Sequence, residues 1–153
     1  MKKSVLFVCT GNTCRSPLAE VWFNQCALEL GLTGYIGCSA GLWAENGGSA
    51  SRHSQQVASE NGCSLESFRS RMLTAPMVED AFLVVGVTDA HCRKIAGALP
   101  EHAGKVRRLL EFDAGGEVSD PYGGSLEDYR RCFENMKQAI YNLANLLKSD
   151  KLN

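Results

Sequence analysis

Strand-like and helix-like hydrophobic patterns alternate from one end of the 153-residue chain to the other. Val5-Leu6-Phe7-Val8 is a continuous apolar run, the pattern of a strand buried on both faces, and predicts a first strand over 4–8. Helical spacing follows over 17–30 and stops at Gly31, a C-cap signal. A second strand is expected over 35–40, then a loop through Gly41, Gly47 and Gly48. Positions 51–61 read as a second helix, ended by Gly62. A valine-rich strand over 81–87, a helix over 89–99 closed by Pro100, and a fourth strand over 105–110 complete the alternation. After a polar loop over 113–124, Leu126, Tyr129, Phe133, Met136, Ile140, Leu143 and Leu147 recur at three- and four-residue steps. They make one apolar stripe on a final helix over 126–148, with Ser125 and Asp128 spaced as a capping box. The alternation predicts a single α/β domain over 1–153, a three-layer sandwich of a four-stranded parallel sheet with helices on both faces. In such sheets ligands sit beyond the carboxyl ends of the strands.

The loop after the first strand carries the chemistry. Cys9-Thr10-Gly11-Asn12-Thr13-Cys14-Arg15-Ser16-Pro17 places a cysteine at a strand end and an arginine six residues later, where a helix begins. Gly11 and Asn12 tolerate left-handed backbone angles, so the turn can aim several N–H groups into one concavity. Ser16 before Pro17 reads as an N-cap and N1 proline. The helix adds its free amides and positive dipole end. A tetrahedral phosphate fits such a nest, with the Arg15 guanidinium clamping two of its oxygens. Helix ends and neighbouring cations favour a thiolate, so nucleophile and anion cradle coincide. With seven Cys and nine Arg in the chain, about 0.4 chance occurrences of Cys-x5-Arg are expected. Cys63 to Arg69 is one: it lacks glycine, carries Glu66 and follows no strand, so it reads as a plain loop.

Asp120 stands before Pro121 in the polar loop, where the pre-proline backbone is held extended and can project a carboxylate outward. Phosphoryl transfer to a thiol needs a proton for the leaving group, and Asp120 is the candidate donor. Trp43 and Tyr122 fall outside the periodic core patterns and are the expected pocket walls. Trp22 and Cys26 have core spacing. His53, His91 and His102 lack metal-ligand spacing, so neither a metal nor a cofactor is expected.

Three segments, VCTGNTCRSPLAE, SAG at 39–41 and DPYGGS at 120–125, resemble the low-molecular-weight protein tyrosine phosphatase family along the full chain and in the family's order. The resemblance implies a flavodoxin-like sheet and a phosphocysteine intermediate on Cys9. It assigns Arg15 and Asp120 to catalysis, and Thr10, Gly11, Asn12, Thr13, Cys14, Ser16 and Ser39 to phosphate binding and loop support. It also implies that Cys14 can form a protective, reversible disulfide with Cys9. One departure is Phe68, where the family often has a histidine that supports the network around Asn12. The family's tyrosine phosphatases usually carry Ile at the position of Thr13 and often a second aromatic at that of Gly123. Thr13 with Asp-Pro-aromatic-Gly-Gly-Ser resembles the bacterial protein arginine phosphatase branch. A threonine hydroxyl can hydrogen-bond a phosphoguanidine, whereas an isoleucine cannot. The expected substrate is thus a phosphorylated protein side chain, phosphoarginine ahead of phosphotyrosine.

Two other classes fit less well. An arsenate reductase shares the fold and loop but needs two further redox cysteines, and the stretch 87–92 supplies only Cys92. A non-catalytic anion-binding module leaves the joint presence of nucleophile, clamp and acid unexplained. Composition narrows the setting. A hydrophobic content of 44% with 22% charge predicts a globular chain, and a net charge of −1 gives no sign of a nucleic-acid partner. Lys105, Arg107 and Arg108 read as a solvated strand edge. No stretch suits a membrane span or signal peptide, and seven irregularly spaced cysteines favour a reducing compartment, so a cytoplasmic location is expected.

Overall fold

The computed structural model describes residues 1–152. Its elements run β1 (Lys3–Cys9), α1 (Arg15–Leu30), β2 (Tyr35–Gly41), α2 (Arg52–Glu60), α3 (Ala75–Asp80), β3 (Leu83–Gly86), α4 (Asp89–Ala98), β4 (Val106–Arg108) and α5 (Leu126–Lys148). Single 3-10 segments, Pro100–Lys105 and Leu109–Phe112, flank β4. The four strands form one parallel sheet, as the alternation predicts, and their order is β2-β1-β3-β4. Strand β1 lies inside the sheet, so its residues must be apolar on both sides. Val5 and Phe7 meet Leu18 and Phe23 of α1 and Phe133, Met136 and Ile140 of α5 on one face. Leu6 and Val8 meet Val78 of α3 and Ile95 of α4 on the other. Both faces are covered, which completes the three layers.

The stripe on α5 faces the core along its length, and the Ser125–Asp128 capping box closes reciprocally at its start. Gly31 ends α1 in the left-handed region at φ 68°. Trp22 packs edge-on against Phe133 with ring centroids 5.4 Å apart, and Cys26 is buried, as their spacing predicts. Strand β4 is one edge of the sheet. Arg107 pairs there with Glu111 at 2.8 Å, Lys105 just before the strand donates Nζ to the carbonyls of Glu79 and Ala81, and the Nε of Arg108 is buried without a partner among the described residues.

Three local expectations need correction. Helix α3 has no counterpart in the hydrophobic pattern, because six residues burying only Val78 are too few to show a period. The Thr74 cap and Pro76 in the first turn are its only signals. Strand four is shorter than 105–110, because a 3-10 turn takes over at Leu109. Helix α1 begins at Arg15, with Cys14 at the N-cap position and no capping side chain, so Ser16 is not the cap. Its hydroxyl is engaged inside the loop instead. No helix among the described residues is long and apolar enough to cross a membrane.

Candidate active site

The β1–α1 loop leaves the carboxyl end of the sheet and turns sharply through Asn12, a buried residue held at φ 54°. A left-handed, non-glycine residue is retained only where its surroundings hold it there. Here the Asn12 amide is fully bonded. Its Nδ2 donates to Ser16 Oγ at 2.7 Å and Ser39 Oγ at 3.0 Å, and its Oδ1 accepts from the Arg71 backbone amide at 2.9 Å. Ser39 Oγ donates to Glu20 at 2.7 Å, and Arg71 Nε donates to the Ser39 carbonyl at 2.9 Å. Burial pushes the Glu20 carboxyl above its ordinary range, against the pull of Ser39 and Arg71. With Phe68 in place of the histidine, the Asn12 side chain still has partners for its oxygen and its nitrogen.

Gly41, which ends the Ser39-Ala40-Gly41 segment, is paired with Cys9 in the sheet. A Cβ there would stand 2.6 Å from the Thr10 carbonyl oxygen and 2.9 Å from the Asn12 nitrogen. Only glycine lets β2 pass this close to the loop.

The loop's reactive groups converge. Cys9 Sγ and Ser16 Oγ lie 2.9 Å apart, both buried. Arg15 is 4% exposed, donates through Nη1 to the Val118 carbonyl at 3.0 Å, and points Nη2 at Asp120 Oδ2, 3.6 Å away. Val118 itself is anchored, its amide donating to the Val87 carbonyl at the end of β3. The Asp120 carboxylate accepts from the Tyr122 amide at 3.1 Å and is half exposed. A cavity of about 230 Å³ opens here, lined by Cys9, Thr10, Gly11, Thr13, Cys14, Arg15, Asp120 and Tyr122. A thiol, a guanidinium and a carboxyl group thus share one opening, the set needed for attack, charge stabilisation and proton transfer.

Trp43 does not line this cavity. The residue is 68% exposed, with Lys94 Nζ 5.3 Å from the ring centroid, and its backbone amide reaches the loop, donating to the Thr10 carbonyl. Of the two expected aromatic walls, only Tyr122 stands at the cavity. Cys14 contacts Tyr129 Oη at 3.2 Å, and the Cys9 and Cys14 thiols are both free. The second Cys-x5-Arg match makes no cradle, for Arg69 bends back onto the carbonyls of Glu66 and Phe68.

One neighbour escaped sequence reasoning. His91, in the first turn of α4, is buried with Nε2 2.9 Å from Thr10 Oγ1 and Nδ1 2.6 Å from Thr88 Oγ1. Burial and the Arg15 charge bring its pKa down to about 4, outweighing Asp120 and Glu117. The usable signal is positional: residues 88–91 follow β3, which lies beside β1 in the sheet.

The model of the low molecular weight phosphotyrosine protein phosphatase family matches residues 4–153. The chain belongs to that family. Its fold and the family's shared chemistry make it a cysteine-dependent protein phosphatase. Among its relatives, a protein-arginine-phosphatase of Bacillus subtilis is 37% identical over 149 residues, covering 96% of this chain and 98% of that protein. A probable low molecular weight protein-tyrosine-phosphatase of Erwinia amylovora, AmsI, is 31% identical, covering 96% and 99%. Among solved structures, a cysteine-to-serine mutant of the arginine phosphatase YwlE, with its active site serine phosphorylated, superposes with a TM-score of 0.90. It is 35% identical, over 97% of each chain.

Proposed function

We propose that this phosphatase removes phosphate from arginine side chains of proteins, with Cys9 as nucleophile, Arg15 as phosphate clamp and Asp120 as proton donor. In the first step Cys9 Sγ attacks phosphorus and the P–N bond breaks. The Asp120 carboxyl gives its proton to the departing guanidine. Phosphate is then bonded to sulfur, held by the loop amides and Arg15. In the second step water attacks phosphorus, Asp120 takes a proton from it, and the S–P bond breaks to release phosphate and the thiolate. The phosphorylated serine of the YwlE mutant supports the covalent step, since it carries phosphate on the residue that replaced a cysteine.

The observation that carries the arginine reading is Thr13 on the cavity wall, beside Cys9 and Asp120. Its hydroxyl can bond a guanidine N–H, and an isoleucine would offer only methyl groups and bulk. Gly123, at φ 79°, follows Tyr122 where a second aromatic ring would narrow the mouth. The identity to the arginine phosphatases supports the same reading. Tyr122, exposed at that mouth, is the one feature favouring phosphotyrosine, because its ring could stack on the substrate's.

The test is the ratio of kcat/KM on a phosphoarginine and a phosphotyrosine peptide. It is expected to favour phosphoarginine and to fall about ten- to hundredfold in Thr13→Ile, the effect of one hydrogen bond to a charged partner. A ratio that favours phosphotyrosine, or one that Thr13→Ile leaves unchanged, would put the tyrosine reading ahead.

A further inference from the structure

His91 is a buried titratable side chain beside the cavity for which the phosphoryl-transfer steps have no use. Its position follows from the sheet. Val8 and Gly86 are register partners in β1 and β3, so the loop after one strand and the helix start after the other emerge side by side. Thr88 caps α4 by accepting the His91 backbone amide at 3.3 Å, which fixes the first turn and with it the imidazole. The ring lies between Thr88 and Thr10, and both of its nitrogens are bonded.

A neutral imidazole has one N–H and one acceptor nitrogen, so the two threonines cannot play the same part. Thr88 Oγ1 already accepts one bond, and its hydroxyl proton is free to go to Nδ1, 2.6 Å away. Nε2 then carries the ring proton and donates it to Thr10 Oγ1. This leaves the Thr10 hydroxyl proton unspent, on a residue that lines the cavity beside Cys9. The opposite tautomer would consume the Thr10 proton on Nε2 and turn a lone pair toward an anion. An anion in the loop selects the first arrangement. Burial first, and the Arg15 charge after it, keep the ring neutral against the pull of Asp120 and Glu117.

We propose that His91 is a positioning residue for the phosphate loop, holding Thr10 so that its hydroxyl donates to a bound phosphoryl group. The proposal rests on the loop's role as a phosphate cradle but not on which phosphorylated side chain is the substrate. The experiment therefore measures inhibition by inorganic phosphate, with a chemically activated aryl phosphate as reporter. Thr10→Val and His91→Leu should each raise the inhibition constant about tenfold. The double variant should be no weaker than the weaker single one, because both remove the same donor. His91→Gln, whose amide can still donate to Thr10, should keep most of the affinity, a rescue that a packing role would not give. If His91→Leu does not fold, His91→Phe, which fills the ring's place without a donor, is set against His91→Gln: phenylalanine should lose the affinity and glutamine keep it. Unchanged inhibition in Thr10→Val, or losses that multiply in the double variant, would overturn the proposal. A wild-type protein indifferent to phosphate would overturn the cradle itself, and the proposal with it.

Discussion

Arg15 Nη1 donates to the backbone carbonyl of Val118, joining the start of α1 to the loop that carries Asp120. The bond makes the proposed anion clamp a structural tie as well, since the same guanidinium faces the Asp120 carboxylate at 3.6 Å. Five planar donors allow both contacts, whereas a lysine offers one point charge.

Arg15→Lys is therefore expected to weaken inhibition by phosphate about ten- to hundredfold while keeping the charge, the cost of a lost hydrogen bond to an ionised partner. Hydrogen exchange at the Val118 amide, which donates to Val87, should also speed up. Loss of phosphate inhibition with no change in exchange would mean that the tie to Val118 does not hold the loop.

Asp120→Ala should lower turnover of a phosphoarginine peptide by on the order of 10²–10⁴, the usual range for general acid catalysis. The deficit should shrink with an activated aryl phosphate, whose leaving group needs little protonation. Equal losses on the two substrates would instead assign Asp120 to loop structure through its bond from the Tyr122 amide.

His91 gives a pH dependence of stability with a defined sign. Its pKa in the folded protein is about 4, against about 6.5 when unfolded, so the unfolded chain binds the extra proton between those values. The contribution is complete above pH 6.5 and is lost as pH falls through that window, by at most roughly 3 kcal/mol. Carboxylates titrate in the same range, so the readout is a difference: the melting temperature of His91→Gln should fall less between pH 6.5 and 4 than that of the wild type. Parallel curves would show that His91 is not held neutral by the fold.

The sequence made Cys9, Arg15 and Asp120 legible because their signals are local: an apolar run feeding a glycine-containing turn, and a carboxylate locked before a proline. The α5 stripe and its capping box were legible for the same reason. His91 was not, because its contact with Thr10 exists only once β1 and β3 lie side by side. The Arg71 amide that completes the Asn12 network was hidden because every residue but proline carries a backbone N–H, so no side chain advertises it. Ser16 showed a cap's chemistry, but its hydroxyl is turned to Asn12 and Cys9, leaving the first helical amides uncapped beside the cavity. Trp43 lacked a core period simply because it is exposed.

The central claim, that phosphate passes from arginine to Cys9, is tested most directly by rapid acid quenching during turnover of a phosphoarginine peptide, followed by mass spectrometry of the digested enzyme. One phosphoryl group should be found on the peptide containing Cys9 and none on that containing Cys63. Cys9→Ser should abolish turnover while still binding inorganic phosphate. Turnover that survives in Cys9→Ser, or phosphate mapped to another residue, would contradict the account.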